Sequence, residues 1–299
     1  MATSPAPRLL PPATLAALAN LELIAKTAVE GVLTGMHRSP HFGFSQEFKE
    51  YRAYSEGDDP RFVDWNVYAR TDRTYIRRFE GETNTRLMLL LDASASMGYS
   101  SQSISKLQYA KFLAAAFAYL ASRQQDPVGL IVFDEKIRDH RPATSRSGAL
   151  HSLIHAIDAV QPGGGTDLEG CFRSVREHLR RRGLVVVISD LYCDPELMTR
   201  AVQPLAYHGH DIMIFQVLDP HEIRPAWTES LVVEDVETKQ AFNISPDDID
   251  TRYRPRLEAH LEAMRKAAAQ VGAQQMLIST DEPLDQALRR YILFRERRG

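Results

Sequence analysis

Arg86-Leu87-Met88-Leu89-Leu90-Leu91-Asp92-Ala93-Ser94-Ala95-Ser96 is the stretch from which the fold can be read. Residues 87–91 are apolar at every position, so a strand here would be buried on both faces, as in a parallel sheet covered by helices on each side. The strand runs straight into one carboxylate and two hydroxyls at alternate positions. Downstream the same rhythm continues: residues 106–122 predict a helix and 128–133 a second buried strand. Helices are expected at 147–160 and 168–181, then a strand at 184–189, a helix at 195–207 and a strand at 211–218. Residues 231–235 and 240–244 read as a hairpin inserted before a helix at 249–271, and a strand at 274–279 and a helix at 284–294 close the series. Strands alternating with helices imply a doubly wound α/β domain with a mainly parallel sheet.

Upstream the pattern differs. Leu15, Leu18, Leu21, Leu23, Ile24, Val29 and Val32 suit one amphipathic helix from Pro12 to Gly35, docked on a neighbouring element. Residues 36–83 mix aromatic and charged side chains, with turn signals at 55–60 and strand-like alternation at 74–79, which predicts a small, irregular β-rich annex. The expected division is a flexible lead-in at 1–11, the helix and annex at 12–83, and the α/β domain at 84–299.

The bulk properties narrow the function classes. Across 299 residues the formal net charge is -3 and the pI about 6.4, which gives no global attraction to nucleic acid or anionic lipid. No apolar run approaches the roughly 20 residues that span a bilayer, and the start is not signal-like. With two cysteines, Cys171 and Cys193, reduced thiols in the cytoplasm are expected rather than a disulfide framework.

In open α/β sheets the binding crevice lies beyond the carboxyl ends of the strands. Asp92, Ser94 and Ser96 follow the first buried strand, Thr166 follows the glycines Gly163, Gly164 and Gly165, and Asp190 follows the strand at 184–189. All five side chains present oxygen. Such a set suits a hard cation, Mg²⁺ first and Mn²⁺ or Ca²⁺ as substitutes, with a coordination position left for a partner's Asp or Glu.

This arrangement resembles the metal-ion-dependent adhesion site of von Willebrand factor A domains, with Asp92, Ser94, Ser96, Thr166 and Asp190 matching in type and order. Further upstream, Tyr51-Arg52-Ala53-Tyr54, Gly57-Asp58-Asp59-Pro60-Arg61-Phe62-Val63-Asp64-Trp65 and Ala69-Arg70-Thr71-Asp72 resemble the "domain of unknown function 58" family. That family is often paired with MoxR-type AAA+ ATPases. The resemblance therefore implies a von Willebrand factor A-like fold and a non-enzymatic adaptor in an ATP-driven remodelling or maturation system. Its partners would be the ATPase, a client protein, or both. Many relatives carry transmembrane helices before the signature, and this sequence does not, so membrane insertion is not expected.

Other readings compete at particular residues. Ser94 and Ser96 could cap the next helix. A hydrolase or phosphotransferase could use Asp92 as nucleophile, but Ser94 stands where a second carboxylate is expected and no lysine or histidine is evidently placed to help. Gly163 to Gly165 lack the Gly-Lys-Ser/Thr of a phosphate loop, and Asp167 would repel phosphate. His151 and His155 have zinc-pair spacing but are expected to be structural, as are His208 and His210. Asp58, Asp59, Arg61, Asp64 and Arg70 are expected to form a charged network, Trp65 a core anchor, and Arg289, Arg290, Arg295, Arg297 and Arg298 the last turns of a helix and a solvated tail.

Overall fold

The computed structural model describes residues 11–18, 20–37, 48–54, 63–71, 73–79, 86–165, 167–179, 181–225, 229–234 and 241–296. The chain opens with α1 (Pro12–Ala16) and α2 (Leu21–His37), where one continuous helix was expected. The break has a local cause. Asn20 Oδ1 accepts from the backbone N–H groups of Glu22 (2.8 Å) and Leu23 (3.2 Å), so its side chain starts a new helix instead of continuing the old one.

The annex contributes an antiparallel pair, β1 (Phe48–Ala53) and β2 (Tyr75–Phe79), with α3 (Trp65–Thr71) between them. Trp65 is not a core anchor. It is the first residue of α3 and stands 62% exposed, edge-on to Tyr68, while the preceding Val63 and Asp64 turn inward. Asp64 caps that helix, accepting from Val67 N–H at 3.2 Å. Arg70 is exposed, and Asp58, Asp59 and Arg61 of the expected network lie outside the described residues.

The main sheet is built from β3 (Leu87–Asp92), β4 (Val128–Phe133), β5 (Ile137–Thr144), β6 (Leu184–Ser189), β7 (Asp211–Leu218) and, near the end of the chain, Gln274–Ser279. The intervening helices are α4 (Lys106–Arg123), α5 (Ala149–Asp158), α6 (Leu168–His178), α7 (Pro195–Tyr207) and the short α8 (Pro220–Ile223). A hairpin of β8 (Leu231–Glu234) and β9 (Ala241–Ile244) sits at the expected insertion. Then come α9 (Pro246–Asp248), a π-helical stretch (Ile249–Tyr253), α10 (Arg254–Gln270), the strand at 274–279 as β10, and α11 (Leu284–Glu296). Pro255 has no N–H to give the carbonyl four residues back, and the wide turn stands directly before it in what was expected to be one regular helix.

The strand order is β10-β7-β6-β3-β4-β5. Five strands are parallel, and β5 runs antiparallel along β4 at the edge. That edge strand was not anticipated, because Ile-Arg-Asp-His-Arg-Pro-Ala-Thr is charged and contains Pro142. An edge position tolerates both features. Opposite it, Gly129 lies where a Cβ would come 2.6 Å from the Arg141 carbonyl oxygen, and the register shifts beside it.

Alternate residues of β3 feed two cores. Leu87, Leu89 and Leu91 join the layer formed by α2, α4, α5 and α11, whereas Met88 and Leu90 face α6, α7 and α10. In the first layer Phe117 packs on Phe215 and Tyr291, with ring centroids 5.0 and 4.5 Å apart. Arg295 lies in the last turn of α11, as expected, but it is not solvated. It pairs with buried Asp126 at 2.6 Å and fastens α11 to the turn between α4 and β4; Arg297 and Arg298 lie outside the described residues. The loop leaving β3 climbs to the first layer and the loop leaving β6 to the second, so a crevice opens between the carboxyl ends of these neighbouring strands.

Candidate functional site

Asp92 ends β3 and Asp190 follows β6, so two adjacent parallel strands deliver two buried carboxylates to the crevice. Asp92 Oδ1 accepts from Ser94 N–H at 2.8 Å, and its Oδ2 accepts from the Ser189 hydroxyl at 2.5 Å. Ser189 Oγ in turn accepts from Leu191 N–H at 3.0 Å. Leu191 has φ of 54°, in the left-handed region that costs a non-glycine residue about 1–3 kcal/mol. This strained turn comes immediately after Asp190. Gln216 of β7 donates to the Asp190 carbonyl at 3.0 Å and accepts from Gln275 of β10 at 2.7 Å, which ties the Asp190 backbone to the outer strands.

Ser94 and Ser96 hold their hydroxyl oxygens 3.1 Å apart. Neither caps the next long helix. Ser105 does that, accepting from Gln108 N–H at 3.1 Å, and Ser94 makes no side-chain cap to the 3-10 turn (Ala95–Gly98) that follows it. The glycine loop crosses this segment: Gly163 N–H donates to the Ala93 carbonyl at 2.9 Å, and Ala95 N–H donates to the Gly164 carbonyl at 2.8 Å. Gly164 has φ of 75°, a left-handed backbone that favours glycine, and a Cβ there would also push the Asp134 carboxylate aside. Thr166 itself lies outside the described residues. Next along the chain, Asp167 caps α6 by accepting from Gly170 N–H at 2.9 Å.

A lysine is in fact placed here. Lys106 opens α4 with its ammonium wholly buried, donating to Asp190 Oδ2 at 2.8 Å and to Glu222 Oε1 at 2.7 Å. The Tyr192 and Tyr99 rings lie 4.9 and 5.8 Å from Nζ. Glu222 belongs to α8 and closes a capping box there, since Asp219 N–H donates to its Oε2 at 2.8 Å. Asp219 also accepts from Ser101 N–H at 2.9 Å and His221 N–H at 2.8 Å, and the Tyr253 hydroxyl donates to the Glu222 carbonyl at 2.6 Å. The sequence carried one hint of this network: a lysine as the first residue of a helix rich in alanine and large apolar residues.

The electrostatics follow from burial. Asp92 is pushed up to about 7 by burial first and the charge of Asp190 second, against the hydrogen bonds from Ser189 and Ser94. Burial alone would lower the Lys106 ammonium, but Asp190 and Glu222 outweigh it and hold its pKa above the ordinary lysine value. Glu222 is raised, by burial, in spite of Lys106. Two carboxylates, Asp190 and Glu222, thus face one ammonium, and Asp92 carries the charge of neighbouring Asp190 on its other side. Among the described residues no group of three His, Cys, Asp or Glu side chains converges as a metal cage, so this crevice offers mixed carboxylate and hydroxyl oxygen rather than imidazole or thiolate. His151 and His155 are exposed on α5, and His151 pairs with Glu22 at 3.1 Å. Burial raises both free thiols, Cys171 and Cys193, to about 12.

Among the described residues no helix is long and apolar enough to cross a membrane. Uncharacterized protein Rv1480 of Mycobacterium tuberculosis (strain H37Rv) is 29% identical over 292 residues, spanning 96% of this chain and 91% of its own. A hypothetical protein BatB from Bacteroides thetaiotaomicron is similar in structure at a TM-score of 0.49 and 19% identity, over 70% of this chain and 97% of that one. The VWA domain of SpRpn10 gives a TM-score of 0.40 at 13% identity, over 69% and 94%. The family model described as "protein of unknown function DUF58" matches residues 50–267, well over half of the sequence, and the chain belongs to that family.

Proposed function

We propose that this protein is a non-enzymatic, protein-binding adaptor whose carboxyl-end crevice takes a divalent cation, Mg²⁺ first and Mn²⁺ or Ca²⁺ in its place. Asp92, Ser94, Ser96, Thr166 and Asp190 would hold it, directly or through water, and an Asp or Glu of a partner would complete the coordination. The observation that carries this reading is the convergence of donors: adjacent parallel strands bring the buried Asp92 and Asp190 carboxylates into one crevice beside the Ser94 and Ser96 hydroxyls, an oxygen set suited to one such ion, whose charge would hold both carboxylates ionised. Bound there, the cation would offer a Lewis-acidic position to an incoming carboxylate. The residues of the chain orient the donors: Ser189 fixes the Asp92 rotamer and Gln216 the Asp190 backbone.

The partner in this reading is a MoxR-type AAA+ ATPase, a client protein, or both, and the ATPase carries the chemical step. No observation favours a nucleophilic role for Asp92 over this reading. The test is Mg²⁺ titration into the purified chain together with binding to the candidate ATPase, comparing wild type with Asp92→Ala at constant Mg²⁺. Saturable Mg²⁺ uptake and partner binding, both lost in a folded Asp92→Ala protein, are expected. Partner binding unchanged by Asp92→Ala would refute the proposal and move the docking surface to the annex.

A further inference from the structure

Lys106 places a full positive charge inside the crevice, 2.8 Å from a carboxylate assigned above to the cation. Burying an ammonium is costly and is tolerated where carboxylates surround it. Two do so here, from separate elements: Asp190 at the end of β6 and Glu222 in α8. A tie between α4 and the sheet would need one. With two, the ammonium has somewhere to lean when Asp190 is required elsewhere, and the Tyr192 and Tyr99 rings flank it without adding charge.

We propose that Lys106 is the resident counter-ion of the crevice. It balances Asp190 and Glu222 when no divalent ion is present, opposes that ion electrostatically and so sets its affinity, while Glu222 draws the ammonium away from Asp190. Lys106 is thus a positioning residue acting through Asp190, and the inference rests on the reading of Asp92 and Asp190 as cation ligands. A purely structural lysine would behave differently, because any change in its network would weaken the fold and ion binding together.

Calorimetric titration with Mg²⁺ alone, paired with thermal melts with and without Mg²⁺, separates the two. Lys106→Met removes the opposing charge, so Mg²⁺ should bind at least about tenfold more tightly. Its ion-free form should melt below wild type and recover as Mg²⁺ is added. Glu222→Gln should shift affinity the other way, several-fold weaker, because the ammonium is then left wholly to Asp190; this variant decides the matter if Lys106→Met does not fold, and unchanged or tighter binding by it overturns the inference. If wild type binds Mg²⁺ and Lys106→Met binds it equally or more weakly, the counter-ion role is overturned and the cation reading survives. If wild type fails to bind and Lys106→Met succeeds, the cation reading falls and the counter-ion role stands, with the lysine filling the ion's place. Failure of both to bind overturns both.

Discussion

Replacing Arg295 with Met keeps most of the aliphatic stem and removes the guanidinium, which isolates the clamp between α11 and the turn before β4. The bond from Arg295 Nη2 to Asp126 Oδ2 is 2.6 Å, and the two side chains are 13% and 2% exposed. An exposed ion pair contributes about 0–1 kcal/mol, whereas stranding one member of a buried pair costs about 3–5 kcal/mol. This pair lies nearer the second limit, although water reaches the arginine side. A loss of about 2–3 kcal/mol is expected, since Asp126 stays buried without this partner. At about 2–4 °C per kcal/mol for a chain of this class, the melting point should fall by roughly 4–12 °C. Urea unfolding gives the free energy, and a double-mutant cycle with Asp126→Asn gives the coupling, which should exceed about 1 kcal/mol. Stability within about 0.5 kcal/mol of wild type, or strictly additive single variants, would refute the clamp.

Two other outcomes test the frame around the site. Gly129→Ala should destabilise the protein by about 1–3 kcal/mol in urea unfolding, because its Cβ would press on the Arg141 carbonyl and the Ala143 N–H of β5, both of them backbone; a stabilised variant would mean that β5 is not where the structure puts it. His210 is buried and its pKa is lowered, by burial first, so the fold prefers it neutral. Its contribution is present above the ordinary histidine pKa of about 6.5 and is lost as pH falls through the lower folded-state value. His140 shifts in the same direction, so His210→Gln should make the acid limb of stability against pH shallower without abolishing it, and an unchanged limb would remove His210 from the account.

The α/β architecture was legible because its strands are uniformly apolar. Leu87 to Asp92 is buried throughout, as the sequence demanded, and Leu184–Ser189 and Asp211–Leu218 fall where the alternation placed them. β5 escaped because an edge strand need not be apolar, and the break before α2 escaped because one asparagine outweighed a continuous leucine pattern. At the site, strand ends fixed the addresses of Asp92 and Asp190, but no local pattern could reveal that Lys106 reaches both Asp190 and Glu222, which lie 84 and 116 residues away. Trp65 was misread for the converse reason. Size and apolarity favour burial, yet Trp65 opens α3 on its exposed side, and the buried positions fall to Val63 and Asp64 just before the helix.

The two partners of Lys106 differ in how readily they can come undone. β6 is hydrogen-bonded to a strand on each side, so its amides should exchange with solvent only through openings that cost most of the global stability. α8 is a four-residue helix whose side chains are at most partly buried, and so short a segment opens at lower free energy than a central strand. Asp190 therefore behaves as a fixed wall and Glu222 as a hinged one. Whatever alters the charge balance at Lys106 should register first as faster or slower deuterium uptake in residues 220–224, with the sheet beneath unchanged.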